Sequence, residues 1–457
     1  MPPCLCKKWC TACVTSSLTH GCKSPPLHAP AEWPACSFVN SHPGGEMIYV
    51  HAGRDNTQIF DSYHPDRVRG MLPKYKIADV SDYTPGKSRE QDVLVYGDEG
   101  GFYRELKKRV QAKFKETGKH PRFHPEMLIK SALILAGVAL TWYGAYFAFP
   151  GCLALSFLCA VGLGFFRAEV GMSIQHDANH GSYTTNNTLG YIMGLTLDCV
   201  GASSWVWKQV HVNGHHAYTN VPTHDTDVWV DQKGDVRRIV EGSAHLWFYK
   251  LQAYYLPILY GALSLKSMFG DLTLIRTLLY GDTHRFVAPT TKEAILFWSL
   301  KALSFSYLIG LPALYSPHGL GAAAALFLTE QWTCGLTLAY LFQVAHVTLP
   351  ASWPKAEGGR IKMGWATAQC ATTVNFCPGS WFWTHISGGL NHQVEHHLFP
   401  GICHMHYPML YPVVKATCEE FGVPYLSYDT FPEAVRGHFT YMHKVGQGFK
   451  IPTLGDA

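Results

Sequence analysis

Apolar residues gather into long runs separated by short polar turns. Residues 129–149 are long enough to cross a bilayer, and residues 152–166, continuing towards Ile174, return after a turn at Pro150-Gly151. Residues 294–314 and 320–344 repeat the arrangement around Ser316-Pro317-His318-Gly319. The pattern predicts four spans in two hairpins. Lysine and arginine are absent from residues 131–166 and 302–354, so the positive-inside rule turns both short loops to the lumen and leaves the rest of the chain facing the cytosol. Residues 189–207 and 246–269 are also apolar, but Asp198, Lys250 and Lys266 interrupt them, and they read as interfacial or partly buried helices. Ahead of the first span, Phe102, Leu106, Val110 and Phe114 recur every four residues among Arg104, Lys107, Lys108, Arg109, Lys113 and Lys115. That spacing predicts a basic amphipathic helix lying on a membrane surface, with a solvated linker helix as the alternative.

Composition strengthens the membrane reading. Of the 457 residues, 47% are hydrophobic and 15% charged, against about 25% charged in an average soluble protein. The 37 basic and 33 acidic residues are nearly balanced and unclustered, which gives no case for nucleic acid as a partner and leaves the lipid bilayer. Six of the 14 cysteines fall within the first 36 residues and others sit inside apolar runs, where cysteine acts as a small hydrophobe in a reducing compartment. Cys10 and Cys13 form a C-x-x-C pair with no second pair at zinc-finger spacing. The first 31 residues lack the apolar core and cleavage site of a secretory signal.

Histidines supply the candidate chemistry. In Gln393-Val394-Glu395-His396-His397, read as a helix, Gln393, His396 and His397 stand at i, i+3 and i+4 and converge on one point, which suits a metal. His176 and His180 have the i, i+4 spacing, as do His211 and His215, with His216 adjacent. A structural zinc closes with four ligands, whereas seven histidines and a glutamine fit two metal ions with positions left open, and imidazole suits iron among other metals. A metal transporter would instead spread its histidines inside the spans along a pore, and a membrane-anchored electron carrier would leave these clusters without a purpose.

HDANH, HVNGHH and QVEHH resemble the three histidine boxes of membrane fatty acid desaturases, and glutamine at the head of the third box resembles the front-end subgroup, which carries a fused cytochrome b5 domain. The resemblance covers roughly residues 36–450. GRDNTQIFDSYHP, MSIQHDANHG, FQVAHVT and SGGLNHQVEHHLFPGICHMHYP are similar to green-algal enzymes of the delta-5 type, while HVNGHHAYTN is also similar to algal delta-4 enzymes. His42-Pro43-Gly44-Gly45 with His64 resembles the haem-binding core of cytochrome b5, with Ile48, Ile59 and Phe60 as its apolar wall. The strands that normally open that domain are replaced here by a cysteine- and proline-rich stretch, so the expectation is either a domain incomplete at its start or a misassigned start of the gene.

What the resemblance implies is specific. The fold is a mostly α, multi-span membrane desaturase with four transmembrane helices and a cytosolic histidine-rich cap, preceded by a small α+β cytochrome b5-like domain. Its divisions are an atypical amino terminus at 1–35, the haem domain at 36–95, a basic linker at 96–128 and the di-iron domain at 129–457. The metal ligands are His176, His180, His211, His215, His216, His346, His396 and His397, with Gln393 acting at the same centre, and His42 and His64 hold haem b. Asp177, Asn179, Glu395, Asp225 and Asp227 are candidates to orient ligand imidazoles. The cofactors are two iron ions and one haem, and the partners are O2, NADH-cytochrome b5 reductase and a polyunsaturated fatty acyl lipid or acyl-CoA, at the endoplasmic reticulum membrane with both termini cytosolic. The reaction removes two hydrogens from neighbouring unactivated carbons, which carry no acidic proton for side-chain acid-base chemistry to take. Hydroxylases and acetylenases share the same scaffold.

Overall fold

A short parallel pairing joins the chain ahead of the spans to the far end of the molecule, with β1 (Val95–Tyr96) aligned to Arg360 and Ile361. Helix α1 (Phe102–Thr117) follows. In the computed structural model, which describes residues 42, 60–61, 63–64, 66–75, 94–98, 100–228, 235–280 and 284–449, its apolar face is buried against protein and not laid on a membrane. Phe102, Tyr103, Leu106, Val110 and Phe114 pack into a cluster with Trp365, Leu398, Leu410 and Val414. An apolar stripe at helical spacing says that a face is covered, not by what, and this corrects the membrane-surface expectation. Cys10, Cys13, Ile48 and Ile59 lie outside the described residues, as does the expected opening of the haem domain. From residues 66 to 75 the described chain forms two short helical turns, Asp66–Arg69 and Leu72–Tyr75.

The first hairpin pairs α2 (Pro125–Tyr143) with α3 (Leu153–Glu169). Pro125 starts α2 where no N–H partner is lost, and Glu126 complements the positive end of the helix. α3 continues through a π turn at Val170–Gln175 into His176–Asn179, so one helical run carries the first histidine pair to its exit. The second hairpin begins with α4 (Thr291–Phe305), opened by a capping box between Thr290 and Glu293, and returns through α5 (Gly319–His346). Its 28 residues rise about 42 Å, more than the ~30 Å of hydrocarbon. α3 and α5 lie in close contact, for a Cβ on Gly164 would meet the Glu330 carbonyl oxygen at 2.4 Å.

Among the described residues, four segments are long and apolar enough to cross a membrane: Pro125–Ala148, Leu153–Asn179, Trp247–Thr277 and Thr291–Tyr315. Two differences from the expected set stand out. α5 falls short in mean hydropathy because Glu330 and Gln331 sit in its middle, yet both are fully buried and turned towards Arg167 and Ser264. Trp247–Thr277 qualifies on composition, yet it is broken by 3-10 turns at Trp247–Leu251 and Tyr260–Ala262. The segment is tied to other parts of the protein: Gln252 donates to the Met442 carbonyl at 2.6 Å and Asp271 receives Lys301 at 2.9 Å. Beyond α5 come β2 (Arg360–Ile361), α6 (Gln393–Leu398) and α7 (Tyr407–Phe421), the last of which covers α1.

Candidate metal centre

Four helical ends bring the histidines together. His176 and His180 arrive from α3, His211, His215 and His216 from a π turn over Lys208–His215 and its cap, His346 from the last residue of α5, and His396 and His397 from α6. The ligand atoms form overlapping groups, each within 4.8 Å: His176, His180, His211 and His396; His215, His346 and His397; and His216 with His396 and His397. His216 thus stands between two centres. Gln393 belongs to the second, its Nε2 lying 2.6 Å from His346 Nε2.

Helical spacing alone did not foresee this division. Gln393, His396 and His397 do form one helix, and His396 and His397 share a group with His216, but their rings stand 86° apart, and each also joins a further group that the other does not. Successive residues of a helix diverge by about 100° around its axis. A pair in sequence therefore reaches two centres that flank the helix. In the second box the wide π turn decides the contacts: the His216 N–H bonds to the His211 carbonyl at 3.2 Å, and their Nε2 atoms lie 3.2 Å apart. Gly214 makes that turn possible, since a Cβ there would fall 1.8 Å from Thr226 Oγ1.

Outer partners fix the rings. His211 Nδ1 donates to Asp227 Oδ2 at 2.6 Å, His215 Nδ1 to Asp225 at 2.9 Å, and His397 Nδ1 to Gln369 Oε1 at 2.8 Å, while His396 Nδ1 stands 3.3 Å from the Tyr407 hydroxyl. A proton on Nδ1 leaves Nε2 unprotonated and free to bind metal. Asp225 and Asp227 behave as expected. Asp177, Asn179 and Glu395 do not: Asp177 accepts from His404, Asn179 donates to Gln175, and Glu395 accepts from Asn375 and Tyr425. Gln369 and Tyr407 escaped the sequence reading, because neither belongs to a histidine motif or shares a periodicity with one.

Electrostatics favour neutral rings. Burial, reinforced by neighbouring imidazoles, holds His180, His211, His216, His396 and His397 well below the ordinary histidine range. His215 is the exception. Burial acts against its charged form, but the Asp225 carboxylate outweighs burial and raises it. Around the centre, His176 Nε2, both nitrogens of His180, His216 Nδ1, His346 Nδ1, Gln393 Oε1, His396 Nε2 and His397 Nε2 have no hydrogen-bond partner. Each such buried atom costs about 1–3 kcal/mol, so their concentration in one place fits ligation by metal. Neutral nitrogen donors suit iron, zinc, copper or nickel.

The second cofactor pair lies nearby. The rings of His42 and His64 are 5.8 Å apart at 50°. His64 Nδ1 donates to the Phe60 carbonyl at 2.9 Å, which directs Nε2 away from its own helix, and the Phe60 ring stacks on it at 4.2 Å. His42 and His64 would hold a haem between them, and a haem held by two histidines would pass electrons.

A helical membrane protein that gathers buried imidazoles in overlapping groups able to hold metal, with a further histidine pair ahead of its spans, is equipped for metal-dependent chemistry. The fatty acid desaturase model matches residues 150–429, and the cytochrome b5-like haem/steroid binding domain model matches residues 36–81. The chain belongs to the fatty acid desaturase family, fused to a cytochrome b5-like domain, and is an oxygen-dependent enzyme. It is 46% identical over 412 residues to the acyl-lipid (8-3)-desaturase of Physcomitrium patens, covering 90% of this chain and 85% of the relative. The acyl-lipid (8-3)-desaturase of Mortierella alpina is 34% identical, over 90% of this chain and 91% of its own. The delta(5) fatty acid desaturase A of Dictyostelium discoideum is 33% identical, over 90% and 88%.

Proposed function

We propose that the chain is a front-end desaturase that inserts a cis double bond at delta-5 of a C20 (or C18) polyunsaturated acyl chain carried on a lipid. The observation that carries the reading is the group of partnerless Nε2 atoms of His176, His180, His396 and His397 at the ends of α3 and α6, with Gln393 where the third box otherwise opens on histidine. The delta-5 position is supported by the likeness to the Dictyostelium delta(5) enzyme, and an acyl-lipid substrate by the printed names of the moss and fungal relatives. The green-algal likeness rests on the motif stretches alone. We assign 36–95 to the haem domain, 96–128 to the linker and 129–457 to the catalytic domain, in the endoplasmic reticulum membrane with the boxes cytosolic.

In this reading His176, His180, His211, His215, His216, His346, His396 and His397 hold two iron ions, and His42 and His64 hold haem b reduced by NADH-cytochrome b5 reductase. Iron, when bound, supplies the oxygen chemistry that takes hydrogen from unactivated carbon. The chain's own residues do the rest. Asp225, Asp227 and Gln369 keep protons on Nδ1 and so keep Nε2 available, and Gln393 sets the polarity of the second centre beside His346. The buried cluster of Trp365, Val394, Leu398 and Tyr407 keeps water from one flank.

Yeast expressing the chain, fed separately with dihomo-gamma-linolenic, eicosatetraenoic and docosapentaenoic acids, tests the product by mass-spectrometric location of double bonds. New unsaturation at delta-5 in the C20 chains is expected. Delta-4 unsaturation of the C22 chain alone moves the position, hydroxylated or acetylenic product replaces the reaction, and unsaturation only on the methyl side of existing bonds defeats the front-end assignment.

A further inference from the structure

Three tyrosine hydroxyls from the chain ahead of the first span end on backbone carbonyls of the histidine motifs or of the residues beside them. Tyr63 donates to Val212, Tyr96 to Ala217 at 2.7 Å, and Tyr103 to Leu398 at 2.8 Å. Lys107 on α1 adds a bond to the Asp61 carbonyl at 3.3 Å. The Tyr63 ring packs against the cluster that contains Tyr218, Val221 and Val394. A polar group held this way away from water rarely lacks a partner, so each hydroxyl selects one carbonyl and with it one register.

Position in the chain gives the Tyr63 contact its meaning. Tyr63 is bonded directly to His64, and Val212 directly to His211. One imidazole of the haem pair is thereby connected to one imidazole of the first metal group through covalent bonds and a single hydrogen bond. Tyr96 and Tyr103 make similar contacts from the strand and from α1, outside the segment that carries His64.

We propose that Tyr63 is a positioning residue that docks the haem-bearing segment onto the second histidine box through its hydroxyl and the Val212 carbonyl. The proposal rests on the reading that a haem between His42 and His64 supplies electrons to the metal centre, one per oxidation from ferrous to ferric. Removing the hydroxyl leaves the ring to fill its place, so Tyr63→Phe loosens the docking without opening a cavity.

The test uses the full chain in lipid nanodiscs, wild type against Tyr63→Phe, with haem and iron quantified. Deuterium uptake of the peptide covering residues 60–75 reports docking, and the decay of the ferrous haem band after mixing with oxygen and substrate reports electron delivery. Expected in Tyr63→Phe are unchanged haem and iron, faster deuterium uptake in that peptide, and haem reoxidation slowed by about tenfold, since small misplacements of paired groups have effects of at least that order. Separately added, reduced soluble cytochrome b5 restores turnover. Unchanged uptake overturns the docking contact, and faster uptake with unaltered reoxidation overturns its positioning role. Wild type without a haem band overturns the electron-relay reading instead, and the uptake comparison then decides the docking contact by itself.

Discussion

Lys301 and His176 are both buried, at 3% and 1% exposure, but their surroundings are built in opposite ways. Lys301 gives one proton each to the Gly201 carbonyl at 2.6 Å, the Met268 carbonyl at 3.0 Å and the Asp271 carboxylate at 2.9 Å, which uses all it has. His176 leaves Nε2 without a partner, and its neighbours His180, His396 and His397 do the same. A buried polar group that is fully paired holds the fold together, whereas several unpaired ones in one place mark room for a ligand. Arg167 stands between the extremes: it bonds Glu330 at 3.2 Å and the Val200 carbonyl at 2.6 Å, with Nε left over. The paired groups also serve the unpaired ones. Val200 and Gly201 lie just ahead of the second box, so the cations of two spans anchor the chain that presents His211.

The sharpest way to break this comparison is His396→Ala, or the same change at His176. Either variant is expected to reach the membrane, lose product below detection and lose iron, because in the proposed reading the removed ring is a ligand and not a brace. Fatty acid profiles of expressing yeast and metal analysis of purified protein check it, and full activity at normal iron content removes the residue from the ligand set. Lys301→Met acts on the other side. It leaves the Asp271 carboxylate buried and unpaired, and stability falls by about 3 kcal/mol, seen as a lower thermal midpoint, while folded protein keeps its iron. A loss of iron without a loss of stability contradicts the division of roles.

Smaller effects sharpen the picture. Asp225→Asn keeps an acceptor for His215 but removes the buried charge, and the affinity for iron is expected to fall about 10- to 100-fold in chelator competition. Asp227 pairs with His211 in the same manner but its side chain is 40% exposed. Water can replace part of what it supplies, so Asp227→Asn is expected to cost no more than about tenfold. Equal losses in the two variants count against burial as the cause.

Much of this protein was legible in its residues. The paired apolar runs, the turns at Pro150-Gly151 and Ser316-Pro317 and the spacing of the three histidine boxes follow from local pattern, because a helix repeats its direction every few residues and a metal needs several donors at once, whereas only the fold separates Asp225 and Asp227 from the other candidate partners of the rings. Sequence did not reveal that His396 and His397 each join a further group besides the one they share, that Gln369 holds His397, or that α1 lies on α7. It also did not show that Trp247–Thr277 is interrupted by 3-10 turns and tied to Met442 and Lys301. Periodicity states which way a side chain leaves its own helix, whereas what waits on the other side depends on how separate helices pack. Gly214 shows both halves of that division: its place between His211 and His215 was plain from the chain, and only the approach of Thr226 in the folded protein makes glycine necessary there.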